Sequence, residues 1–222
     1  MERRDVTAAL LVAAWPGWLW AAASESDAAA GIRAALERGA LSAVGQLGRA
    51  DGFLKNPQVR IPLPGHLEEA AKLMRRLGQG KRVDELETAM NRAAEMAVPE
   101  AKSLFVSTAK AVTVDDALKI VKGGPTSVTD YFAGKTRAPL GERFLPIVTK
   151  STEKVQLADR YNHVAAKAAD LGLMKGDETN VQKYVTAKAL DGLFFMIGEE
   201  EKKIRADPIK TGSAILRKVF GG

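Results

Sequence analysis

The stretch 188–205 constrains the fold more than any other part of the chain. Six of the eight residues from Leu190 to Ile197 are large and apolar. At about 100° per residue, Leu193, Phe194, Phe195, Met196 and Ile197 point all around a helix, and a helix that is apolar all round belongs inside a bundle. After Gly198 the run Glu199, Glu200, Glu201, Lys202, Lys203 turns polar, with glutamates placed for i,i+3 and i,i+4 pairs to lysines. Asp191 breaks the apolar block, falling in angle between Phe194 and Phe195, where a carboxylate would lie beside two aromatic rings.

The rest of the chain suits such a bundle. Its 222 residues fit one domain with a good-sized core. The 33 basic and 27 acidic residues leave a net charge of +6, but no dense basic run collects it, so the charge reads as a solvated surface and not as a nucleic-acid site. Cysteine is absent. That excludes disulfides, thiolate nucleophiles, cysteine metal sites and a lipidated cysteine together.

The N-terminus reads as an export address. Arg3 and Arg4 precede an apolar run from Val6 to Trp20, followed by Ala21, Ala22, Ala23 and Ser24, the order of a secretory signal. Cleavage after Ala23 is expected, which gives a signal peptide at 1–23 and a single helical domain at 24–222. At about 15 residues the apolar run is short for a membrane span. The expected location is the periplasm of a Gram-negative bacterium, and nucleic-acid partners inside the cell are excluded there.

Apolar spacing and breakers predict helices over 28–47, 66–77 and 83–97. Between the first two, Val59, Ile61 and Leu63 alternate with Arg60, Pro62 and Pro64. Prolines forbid a central strand, so 53–65 is an extended loop laid over the core. Pro99 is expected to open a helix, and Thr113 with Asp116 to cap a short one ending near Lys122. Pro139 and Pro146 are read as punctuation, separating a helix at 127–135, a short one holding Leu140 and Phe144, and a long one over 147–171. A linker at 175–180 carries the N-cap of the central helix, Asp207-Pro208 ends it, and 211–220 offers a last docking helix. The fold class is an all-α, irregular multi-helix bundle around a central apolar helix, with a Pro-rich extended loop.

Catalytic motifs are missing. His66 and His163 are the two histidines, neither inside a recognisable site, and no HExxH, nucleophile elbow or P-loop occurs. No catalytic residue, metal ligand or cofactor is assigned. Glu199 to Glu201 read as a solvated helix end, and Asp115 with Asp116 as a cap. What remains unusual is apolar capacity, to which Met96 and Met196 also contribute. Phe105, Met90, Tyr131, Phe132, Leu193, Phe194 and Phe195 are either plain core or the lining of a lipid pocket, in which Asp191, Tyr131 or Thr129 would fix a polar end. A buried Asp191 must meet an Arg or Lys, or a ligand hydroxyl.

Several phrases carry a resemblance: FLKNPQVRIPLPG from Phe53, LETAMNRAAEMAVP from Leu86, then DDALKIVKGG, DYFAGKT, ALDGLFFMIGEEEKKIR and the closing KVFG. Over 35–221 the chain resembles the bacterial exported family called domain of unknown function 4197. That family includes a sterol-binding member, the third component of a bacterial sterol transport system, a helical bundle with an apolar cavity in the periplasm. The resemblance implies a non-enzymatic carrier that holds a sterol or other apolar lipid and passes it between inner and outer membranes, with other periplasmic and membrane components as partners. The alternative is a cell-envelope interaction module that binds a protein or an anionic membrane surface and has no internal ligand.

Overall fold

A computed structural model describes residues 18–153 and 180–207, with 155, 158, 159, 161, 162 and 166 between them; side chains are described from Ala29 onward, those of His66, Glu69, Ala70 and Val121 excepted. The elements are α1 (Trp18–Leu47), α2 (Gly65–Arg76), α3 (Gly80–Ala97), a 3-10 turn (Val98–Glu100), α4 (Ala101–Lys110), α5 (Val114–Lys122), α6 (Ser127–Thr152) and α7 (Val181–Ala206). No strand occurs among the described residues, and the fold is all-α. Helices α6 and α7 pack along each other at the centre; α1 lies on α7, α4 and α5 lie on α1, and α3 covers α6 and α7 with α2 outside it.

Helix α1 buries the expected stripe of Ile32, Leu36, Ala40, Val44 and Leu47, but it begins ten residues before the predicted start, at Trp18, and runs through Ala23. Pro99 sits in the 3-10 turn that leads into α4, not in the helix itself. At α5 the predicted capping box is present: Asp116 N donates to Thr113 Oγ1 at 3.1 Å and Thr113 N to Asp116 Oδ2 at 3.2 Å. The Thr113 hydroxyl, its backbone second, holds the Asp116 carboxyl below its ordinary 3.8. A depressed carboxyl contributes stability that is complete above the ordinary value and lost as pH falls through the folded one. Thr113→Ala should therefore cost about 1 kcal/mol at neutral pH, and progressively less below about pH 4, in urea titrations repeated across pH.

The prolines of α6 do not punctuate it. The three segments expected around Pro139 and Pro146 form one helix of 26 residues. Every fourth residue from Phe132 is buried: Phe132, Thr136, Leu140, Phe144, Val148 and Thr152, an i±4n ridge of the kind that fills a neighbouring helix's groove. A proline inside a helix costs about 3 kcal/mol. Burying the four large apolar side chains returns roughly 6–12 kcal/mol together, so the helix persists through both. The long helix expected over 147–171 is interrupted, because α6 stops at Thr152 and Glu153 turns; beyond the break Ala158, Asp159, Tyr161, Asn162 and Ala166 are helical, and the rest of 154–171 except Val155 lies outside the described residues. There a polar network takes over. Gln182 Nε2 donates to Thr152 Oγ1 at 3.1 Å, Asn162 Nδ2 to Gln182 Oε1 at 2.8 Å, and Val181 N to Asn162 Oδ1 at 2.9 Å. Asn180 caps α7, accepting from the N–H groups of Gln182 and Lys183, and α7 ends at Asp207 as expected. The docking helix expected at 211–220 lies outside the described residues.

The Pro-rich loop lies over the core as predicted, with Phe53, Val59, Ile61 and Leu63 buried, but its first half, 53–59, is wound into turns and is not extended, Arg60 N donating to Asn56 O at 2.8 Å. Two polar residues of α3 hold its backbone. Asn91 pairs with Ile61 as a neighbouring strand would, its Oδ1 accepting from Ile61 N and its Nδ2 donating to Ile61 O, both at 2.9 Å. Glu95 Oε1 accepts from Phe53 N and Leu54 N at 3.0 and 3.1 Å. Arg92 then joins Glu95 to Asp51 at 2.6 and 2.7 Å. On the other side Gly192 lets the loop meet α7, since a Cβ there would stand 2.8 Å from the Phe53 ring and 3.2 Å from Val59.

Candidate functional site

The aromatic residues singled out in the sequence converge where α4, α6 and α7 meet. Phe105 stands edge-on to Phe132 at 5.2 Å and to Phe194 at 6.1 Å between ring centroids, and Tyr131 lies 6.5 Å from Phe132. Phe105, Phe132, Met90 and Leu193 are fully buried in the same core. Such ring pairs contribute about 0.5–1.5 kcal/mol beyond their burial. The cluster has a polar margin. The Arg137 guanidinium lies 4.9 Å over the Phe194 ring and its Nη1 donates to Asp191 Oδ1 at 2.9 Å. Tyr131 donates to Asp116 Oδ2 at 3.4 Å. Burial first, then the Asp116 charge, raises the phenol above its ordinary 10.0, so it stays a neutral donor at physiological pH.

Three expectations for this region are corrected. Asp191 is not sunk between two rings: its side chain is 53% exposed and paired to Arg137, with Lys188 at 3.8 Å. Phe195 is 42% exposed, one turn beyond Asp191 on a water-facing strip, so α7 is not covered on every side. Thr129 belongs to another cluster at the far end of α7, where its N and Oγ1 donate to Glu201 Oε2 at 3.0 and 2.9 Å. The nine residues thus divide into a packed interior, an outer margin and a separate polar node.

Glu201 is the centre of that node. It is buried, not solvated as its place in an acidic run suggested. Its carboxylate also accepts from Val128 N at 3.1 Å, which caps the start of α6 from a helix more than seventy residues away in sequence, and from Arg205 Nε at 3.0 Å. Arg205 in turn reaches Ile120 O and Ser127 Oγ at 3.2 and 2.8 Å, tying α5, α6 and α7 together. Glu199 and Glu200, by contrast, make the expected i,i+3 pairs to Lys202 and Lys203 at 2.7 and 2.8 Å.

Beside the node, Ala35, Leu36 and Gly39 of α1 and Ile197 and Ile204 of α7 frame an apolar recess of about 20 Å³, room for one water. Two larger hollows are each lined by one short stretch, 99–110 and 115–123, and are surface troughs, not cavities. Among the described residues no three histidine or acidic side chains converge as a metal site, and no helix is long and apolar enough to cross a membrane. The side chain of His66, and all of His163, lie outside the described residues.

Sequence reading missed Arg137, Asn91, Glu95 and Glu201. Glu201 had a signal, since it stands four residues after Ile197 and three before Ile204, on the stripe that α7 buries. Asn91 and Glu95 share one face of α3, beside the small residues Ala93 and Ala94. For Arg137 the sequence offers no comparable mark.

No curated protein and no solved structure matches the chain. A family model does, that of the family described as "Protein of unknown function (DUF4197)", over residues 22–221. The match spans nearly the whole chain and every helix described here except the first four residues of α1, and the chain is a member of that family.

Proposed function

We propose that the chain is a non-enzymatic carrier of the bacterial cell envelope, which holds one apolar, sterol-like lipid within its helical bundle and passes it between inner and outer membranes. One observation carries the reading: an apolar, polarisable interior built from Met90, Phe105, Phe132, Leu193 and Phe194 ends at the buried Phe194 ring, which the exposed Arg137–Asp191 pair covers. A rigid lipid with a single hydroxyl needs that combination, a greasy lining and a polar group at one edge. Ligand pockets of this kind enclose about 300 Å³ or more. Among the described residues Phe105, Phe132 and Phe194 pack against one another, so a ligand entering between them requires the rings to give way, and apolar burial at about 25 cal/mol per Å² is the driving force. The order of Arg3 and Arg4, apolar run and small residues, read as an export address, supports the envelope location. Equilibrium titration of the purified chain with a sterol, a hopanoid, a phospholipid and a fatty acid tests the reading. Saturable binding of the sterol, on the order of micromolar and preferred over phospholipid, is expected. Its absence for every lipid overturns the carrier.

The dense packing of the three rings favours a second reading, an envelope interaction module with a plain core and a binding surface. Salt separates the two, because surface binding between charged groups weakens with added salt while a buried lipid is retained.

A further inference from the structure

The hairpin tip between α2 and α3 combines cations with exposed leucines. Helix α2 closes in a Schellman turn: Gly78, at φ 76°, donates to Arg75 O at 3.2 Å, and Gln79 N donates to Met74 O at 2.8 Å. Leu73 and Leu77 enter that turn only through backbone, Leu77 N donating to Leu73 O at 3.0 Å. Ala71 is buried and Leu67 and Met74 pack against the core, so α2 is already anchored on its inner side. Leu73 and Leu77, one turn apart, are 57% and 67% exposed. Around them Lys72, Arg75, Arg76, Lys81 and Arg82 are all exposed, and the stretch 70–83 contains no Asp or Glu. Arg75 pairs with Asp84 at 3.1 Å and stands 3.8 Å from Glu87.

We infer that this tip docks the protein on the surface of an anionic bilayer, with the two leucines entering the headgroup layer and the five cations among lipid phosphates. Apolar side chains ringed by Lys and Arg are the pattern of an interfacial helix, and each cation near an anionic leaflet adds to the attraction. Two protruding leucines among long, flexible cations offer no shaped groove for a folded partner, whereas a fluid surface adapts to them. The inference rests on the envelope location proposed above and not on the lipid cargo.

The test is cosedimentation of the purified chain with vesicles of phosphatidylethanolamine and phosphatidylglycerol, against phosphatidylcholine alone. Binding to the anionic vesicles, weakening with salt, is expected. The paired variants Leu73→Ser with Leu77→Ser and Arg76→Glu with Lys81→Glu should each bind about tenfold more weakly or worse. All four positions are exposed, so circular dichroism and sterol titration should be unchanged. No sedimentation with anionic vesicles overturns the inference and leaves the tip to a protein partner, and sedimentation of the variants equal to that of the wild type overturns it too. Loss of sterol binding with intact vesicle docking would count against the carrier alone.

Discussion

Glu201→Ala is expected to destabilise the fold by about 3–5 kcal/mol, the range for removing one partner of a buried charged pair. The loss is large because the carboxylate does several jobs at once. It accepts from the backbone N–H groups of Val128 and Thr129 and from the Thr129 hydroxyl, and it neutralises Arg205. Alanine takes the shared acceptor from the two backbone N–H groups and the Thr129 hydroxyl and leaves the Arg205 charge without its carboxylate, and each orphaned group costs about 1–3 kcal/mol. Glu201→Gln keeps one accepting oxygen and should fall between wild type and alanine. Urea unfolding measures both. A cost under about 1 kcal/mol for the alanine variant would mean that water takes over the cap.

The second large effect concerns the rings. Phe132→Ala should cost about 3–5 kcal/mol, since Phe132 is fully buried against Phe105. Phe195→Ala, on the exposed strip, should change stability by no more than about 0.5 kcal/mol. The carrier reading adds a consequence. A ligand at a hundred times its dissociation constant stabilises the native state by about 2.7 kcal/mol, so sterol should raise the unfolding free energy of the wild type. In Phe132→Ala it should also recover part of the loss, by filling the space that the ring vacates. Thermal unfolding with and without sterol reads both outcomes.

The helical class, the draped loop, the capping box and the Asn180 cap were legible because each rests on local chemistry: period, proline geometry, or a side chain bonding to backbone two or three residues away. The continuity of α6 was not. Local propensity says stop at Pro139 and Pro146, and only the burial of Phe132, Leu140, Phe144 and Val148 against other helices overrules it. Glu201 misled for the related reason that it stands in a charged run, while its angle on α7 turns it towards the start of α6; Glu200 also turns inward, accepting from Gln46 of α1 at 3.1 Å. At the candidate site the aromatic members were legible as apolar capacity. The polar margin was legible only in part: Asp191 stood out, but its partner Arg137 lies 54 positions away in sequence, and no spacing rule joins them. Phe195 shows the limit of reading an apolar run as buried all round, because one strip of α7, with Lys188 and Asp191 on it, faces water.

Native mass spectrometry of the chain purified from the bacterial envelope tests the central claim most directly. A carrier gives a population that retains one apolar lipid per chain, sterol or hopanoid in place of phospholipid, and that is lost or exchanged on incubation with a competing sterol. A chain that emerges free of lipid, and stays free after incubation with sterol, contradicts the carrier and leaves a packed bundle that works through its surface.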